Sequence, residues 1–199
     1  MGCATPYPIH WQDLRAHPRK NVLQKPGVRS RPNDFGFEAS FLNASYWVDS
    51  NAERIVEIKP NSSRILSPAF QILLIRYLTA PEVCDPVGEW ISEKELPGGA
   101  TFFRGPHRLL VEPLVERFCR DPEEIKARGQ ELEAQFVDHG DCALCFFPFP
   151  TIPVIYVLWS GDEDFPASGS VLFDGSIVRW FSLDMIFLLV QQLILRIVE

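Results

Sequence analysis

Fourteen residues near the end of the chain, Met185-Ile-Phe-Leu-Leu-Val-Gln-Gln-Leu-Ile-Leu-Arg-Ile-Val198, are apolar at all but Gln191, Gln192 and Arg196. As a helix they span roughly 21 Å, short of a hydrocarbon core of about 30 Å. The three polar side chains argue further against a membrane span. A helix this apolar has to be covered, by the rest of the chain or by a subunit contact. A second segment makes the same demand. Ser67 is a good N-cap and Pro68 suits the first helical position. Ala69, Phe70, Ile72, Leu73, Leu74, Ile75, Tyr77 and Leu78 follow, with only Gln71 and Arg76 strongly polar. Thr79-Ala80-Pro81 ends the segment, because proline disfavours helical backbone in the residue before it.

Strands supply the surface these helices need. Phe35, Phe37, Ala39 and Phe41 alternate with Gly36, Glu38 and Ser40, the period of a half-buried strand. Tyr46-Trp-Val48 runs into the turn residues Asp49-Ser-Asn51 and then Ile55-Val-Glu-Ile58, an antiparallel hairpin or meander. Later, Val154-Ile-Tyr-Val-Leu-Trp159 is a continuous apolar strand. Ser170-Val-Leu-Phe-Asp174 repeats the spacing of Ser45-Tyr-Trp-Val-Asp49, and Ser182 caps the last helix. This echo suggests an internal pseudo-repeat of two strand–turn–strand–helix units.

The expectation is a single α+β domain, an antiparallel or mixed sheet with apolar helices at 67–80 and 183–198 and a helical insert. Residues 1–32, broken by Pro18, Pro26 and Pro32, form an irregular lead-in, and 33–199 form the domain. The insert covers 81–140 and is helical over 106–136. There Pro113 kinks or begins a helix, and Asp121-Pro-Glu-Glu124 begins another with a capping box. The core is expected to hold Ile72, Leu73, Ile75, Leu78, Val154, Ile155, Val157, Leu172, Phe173, Ile186, Leu189 and Leu193.

Charge and cysteine usage narrow the function classes. Lys and Arg total 19 against 26 Asp and Glu, a net charge of −7 with no basic block. That excludes a phosphate-gripping nucleic-acid binder. Met1-Gly-Cys-Ala-Thr-Pro6 shows no secretory pattern, and Pro6 stands where a myristoylation signal has Ser or Thr. Five cysteines without an export signal read as reduced thiols of a cytoplasmic protein.

Three local patterns could carry chemistry. Cys142-Ala-Leu-Cys145, with His139 nearby, has the spacing of half a zinc site or a redox pair. A strand through these residues would point the two thiols to opposite faces, and zinc would need further ligands, so no metal is assigned. Trp159-Ser-Gly-Asp-Glu-Asp-Phe-Pro166 holds the carboxylates Asp162, Glu163 and Asp164 in one loop, a turn in which Asp caps local N–H groups. Gly98, Gly99, Arg104, Gly105, His107 and Arg108 form a basic, glycine-bearing loop before a helix, able to meet an anion. No phosphate-loop, dinucleotide or nucleophile-elbow pattern occurs, and His10, His17, His107 and His139 are scattered. Trp90 and Trp159 precede the two loops, which could share a site in which Arg104 or Arg108 meets Asp162 or Asp164.

Ile72-Leu-Leu-Ile-Arg-Tyr-Leu78, then Gly88-Glu-Trp-Ile-Ser92 with Glu95-Leu-Pro-Gly-Gly99, then Pro153-Val-Ile-Tyr-Val-Leu-Trp159 with Gly161-Asp-Glu-Asp-Phe-Pro-Ala167 and Leu172-Phe-Asp174, occur in this order. The chain thereby resembles the domain of unknown function 3786 family over roughly residues 34–190. The resemblance implies a protein of anaerobic bacteria or archaea and brings no catalytic residues. Some relatives carry a cysteine-rich, iron–sulfur-type segment; here the lead-in has only Cys3, so neither an iron–sulfur cluster nor zinc is expected, and no cofactor is assigned. The leading expectation is a non-catalytic binding or accessory protein of anaerobic metabolism, its partner a small molecule or a protein, with a homo-oligomer compatible. The alternative is an enzyme or metal- or cofactor-linked protein with its site between the 95–108 and 160–166 loops.

Overall fold

A computed structural model describes residues 10–31, 35–58 and 66–199. The start of the lead-in, with Cys3, and Pro32 lie outside the described residues. Four strands, β1 (Val28–Arg29), β2 (Phe37–Phe41), β3 (Ala44–Asp49) and β4 (Arg54–Glu57), form one antiparallel sheet in chain order. Five more, β5 (Trp90–Ser92), β6 (Gln135–Phe136), β7 (Cys142–Phe149), β8 (Ile152–Trp159) and β9 (Ser168–Asp174), form a second antiparallel sheet in the order β5-β9-β8-β7-β6.

The strands thus divide into two sheets, which meet beside a proline. Pro148 has no N–H to give a ladder, and the β7–β8 register shifts between Phe146 and Phe149. At that irregularity the first sheet meets the second. The Leu42 N–H donates to the Pro148 carbonyl at 2.9 Å, and the Phe41 ring meets Phe149 edge-on at 5.4 Å.

Helices α1 (His10–Ala16) and α2 (Arg19–Val22) precede β1; α3 (Pro68–Leu78) follows the first sheet. Between β5 and β6 come α4 (Gly99–Phe102), a 3-10 turn at Gly105–His107, α5 (Glu112–Arg120) and α6 (Pro122–Glu131). After β9 come α7 (Ile177–Trp180) and α8 (Leu183–Val198). Within the proline-broken lead-in, residues 10–31 carry two helices and a paired strand, and bury Leu14, Val22 and Val28. The lead-in prolines punctuate these elements rather than prevent them.

Both apolar helices form, α3 as its cap directs and α8 without a side-chain cap hydrogen bond from Ser182. The Ser67 Oγ accepts from the Phe70 N–H at 3.1 Å, and Pro68 opens α3. Helix α3 packs on α8, with Leu73, Leu78, Ile186, Leu189 and Leu193 wholly buried. No helix among the described residues is long and apolar enough to cross a membrane. Pro113 begins α5 rather than kinking it, and Asp121 Oδ1 caps α6 by accepting from the Glu123 and Glu124 N–H groups. The expected core residues are buried except Leu172, which is half-buried. Ile155 and Val157 join Ala143 and Cys145 in a small cluster separate from the main core, with Leu172 packed against it.

The pseudo-repeat survives only as architecture. Each half is a four-stranded meander, β1–β4 or β6–β9, followed by an apolar helix. The matching segments occupy different places, Ser45–Asp49 the third strand of its meander and Ser170–Asp174 the fourth. The echo reflects a shared local task. The Asp49 carboxylate accepts from the Asn51 and Ala52 N–H groups, and Asp174 accepts from the Ser176 N–H, each stabilising the turn after its strand.

Candidate functional site

The expected site residues are not drawn together. Asp162 Oδ1 accepts from the N–H groups of Asp164 and Phe165 within its own exposed loop. His107 stacks on Phe102 with ring centroids 4.6 Å apart and meets Phe187 of α8 edge-on. Arg108 pairs with Glu112 one helical turn on. Arg104 is exposed, and its side chain makes no ion pair among the described residues. No described hydrogen bond or ion pair joins the 95–108 and 160–166 loops. Trp90 and Trp159 are both partly exposed and line none of the described cavities.

The cysteine pair has strand geometry. Cys142 belongs to the main core and Cys145 to the smaller cluster across the sheet. Both are free thiols, and burial pushes both pKa values up, that of Cys145 to about 11. A protonated, buried thiol is a poor nucleophile and a poor metal ligand. His139 is exposed, and no group of three or more His, Cys, Asp or Glu among the described residues is arranged to hold a metal ion.

Two of the ordered motifs meet instead in a structural knot. Strand β5 pairs with β9, setting Trp90 opposite Asp174. The buried Asp174 carboxylate accepts from the Val87 N–H at 3.0 Å and the Gly88 N–H at 2.7 Å. Burial alone would raise its pKa, but the hydrogen bonds from Ser176, Val87 and Gly88 outweigh it and hold the group ionised. This carboxylate fastens the insert to the second sheet.

The chemistry that does converge lies where α8 passes the first sheet and the start of α3. A cavity of about 110 Å³ is lined there by Tyr46, Leu66, Ser67, Phe70, Gln192, Leu195, Arg196 and Glu199. Arg196 Nη2 donates to the Tyr46 hydroxyl at 2.9 Å, a contact between residues 150 positions apart. Its Nε–H is buried and has no acceptor among the described residues. The Glu199 carboxylate stands 3.9 Å from Arg196 Nη1, the outer limit of an ion pair. Burial pushes the Tyr46 pKa up to about 12, Arg196 pulls against the shift and Glu57 adds to it, so the phenol keeps its proton. Ser67 Oγ donates to Gln192 Oε1 at 3.2 Å, which turns the Gln192 carboxamide N–H₂ outward from that contact.

Helix α8 does not consume its own arginine. Its last carbonyls take guanidinium groups from the insert, Arg128 Nη2 and Nε on the Arg196 carbonyl at 2.7 and 3.2 Å and Arg117 on that of Val198. These cations offset the negative end of the helix dipole. The positive end of α3 borders the same cavity at Ser67. The site therefore presents donors: a guanidinium N–H, a phenol and a carboxamide.

Sequence reasoning passed these residues by, although a signal existed. Gln192 and Arg196 stood out only as interruptions of an apolar helix. A polar side chain in a covered helix requires a partner, and here the partners surround a cavity. A model of the family described as Domain of unknown function (DUF3786) matches residues 20–196. No curated protein and no solved structure matches the chain.

Proposed function

The chain belongs to the DUF3786 family, and from that premise and its donor-lined cavity we propose that it is a non-catalytic accessory protein that binds a small carboxylate. The observation that carries this reading is the buried Arg196 Nε–H without an acceptor, beside the protonated Tyr46 hydroxyl and the Gln192 amide. A carboxylate offers about four lone-pair sites, and arginine meets it with paired, charge-assisted bonds. The cavity contains hydroxyl, amide and guanidinium groups and the Glu199 carboxylate at its edge, but no thiol and no imidazole, which favours recognition over chemistry. A reducing, cytoplasmic setting in anaerobic metabolism belongs to the same proposal. The free thiols of Cys84, Cys119, Cys142 and Cys145 support it.

Calorimetric titration with acetate and propionate tests the pocket. Saturable binding with Kd on the order of 1 mM is expected for so small a ligand. Arg196→Gln should weaken it at least tenfold and Tyr46→Phe about threefold, with folding checked by thermal melting. Absence of saturable binding, or an Arg196→Gln protein that binds as tightly as the parent, overturns the reading.

A further inference from the structure

The carboxylate pocket has a neighbour across the α8 helix. A groove of about 310 Å³ runs between the start of the insert helices and α8, walled by Leu109, Leu110, Pro113, Phe187 and Ile194. Its lining is apolar except at Gln191 and Gln192. Two residues, Gln192 and Leu195, border both the groove and the donor-lined cavity. They stand three apart on α8, on one side of the helix, so the two spaces share a wall rather than lying on separate faces.

The exposure of the apolar walls is uneven in a telling way. Leu110 and Leu195 are 51% and 52% exposed, while Leu109 and Ile194 beneath them are buried. Other described apolar side chains, Phe35, Phe165 and Val87 among them, are exposed elsewhere on the surface. Leu110 and Leu195 stand open along one path that begins at the buried guanidinium.

Resting on the pocket reading above, we infer that the ligand is an unbranched aliphatic monocarboxylate of medium length. Its head group takes the Arg196, Tyr46 and Gln192 donors, and its alkyl chain crosses Leu195 into the Leu109–Phe187 groove. Polar head and apolar tail match the order in which the protein presents donors and then hydrocarbon. The groove is open on one side, so each methylene of the chain is partly desolvated. Full burial of a methylene corresponds to about a fourfold gain in affinity, and half-burial to about twofold.

The test is a chain-length series of propionate, butyrate, hexanoate and octanoate, titrated below micellar concentrations, with octanol as a tail lacking the charge. Affinity should rise about two- to fourfold per methylene, making octanoate at least ~30-fold tighter than propionate. Leu110→Ser, at an exposed position that folding tolerates, should lower the octanoate-to-propionate ratio about fivefold. Octanol should bind at least tenfold more weakly than octanoate. Propionate binding with a flat series overturns this inference and leaves the pocket reading standing. Octanol binding as tightly as octanoate also overturns it, since the groove would then act without the guanidinium. If propionate fails to bind at all, both readings fall.

Discussion

At the scale of single residues, Gly99 shows how little freedom the insert has. A Cβ at this position would overlap the Glu93 backbone carbonyl and crowd the Leu96 side chain. The carbonyl belongs to the turn that Glu95 closes by accepting from the Ser92 N–H and hydroxyl at 2.8 Å each. Gly99→Ala must therefore move backbone, and should cost on the order of 2–4 kcal/mol in urea unfolding. Gly98 beside it has a φ of +79° but open space around its Cβ direction, with only Leu183 at 3.5 Å. The Gly-Gly pair thus does two different jobs, one of clearance and one of backbone conformation. Glycines in such a loop permit close backbone approach. The approach is of the chain to itself, at the seat of α4, and no described contact carries it to the acidic loop.

At the scale of elements, the C-terminal end of α8 depends on helices it does not touch in sequence. Arg128 of α6 holds the Arg196 carbonyl through two N–H groups. Arg128→Met keeps most of the aliphatic contact and removes both donors. The expected loss is about 1–3 kcal/mol by chemical denaturation, with Arg128→Lys intermediate. Caps and periodicity made α3, α8 and the N-terminus of α6 legible from sequence, because those signals lie within one or two turns of chain. The alternation in Phe37, Ala39 and Phe41 likewise exposed β2. Local signals end there. The split into two sheets depends on which strands pair, and the site depends on Tyr46 meeting Arg196. Periodicity says that Arg196 interrupts an apolar helix. It does not say which strand supplies the hydroxyl.

For the whole molecule, buried titratable groups define a band of pH in which the fold is most stable. Burial raises the pKa values of Tyr46, Tyr77, Tyr156, Cys84, Cys142 and Cys145. For acids raised on folding, stability is complete below the unfolded pKa and is lost as pH climbs from about 9. Lys25 opposes them. It is 3% exposed, its Nζ donates to the Ala80 carbonyl at 2.5 Å, and burial lowers its pKa, so its own contribution improves as pH rises toward the unfolded value. On the acid side, His17 has a buried Nε2 without a partner and a lowered pKa, caused first by burial and then by Lys25. Its contribution is present above about pH 6.5 and declines below. Thermal unfolding midpoints should therefore be flat near pH 7–8.5 and fall on either side. Lys25→Met should steepen the alkaline fall and Cys145→Ala should soften it. The pairing of α3 with α8 has a consequence for how the chain is made. More than a hundred residues separate the two helices, so during synthesis the face of α3 that meets α8 waits without its partner until α8 has left the ribosome. Strand β5 waits likewise for β9. Productive folding is then dominated by distant contacts, which slows it, and the nascent chain offers chaperones an apolar target at α3 until α8 arrives.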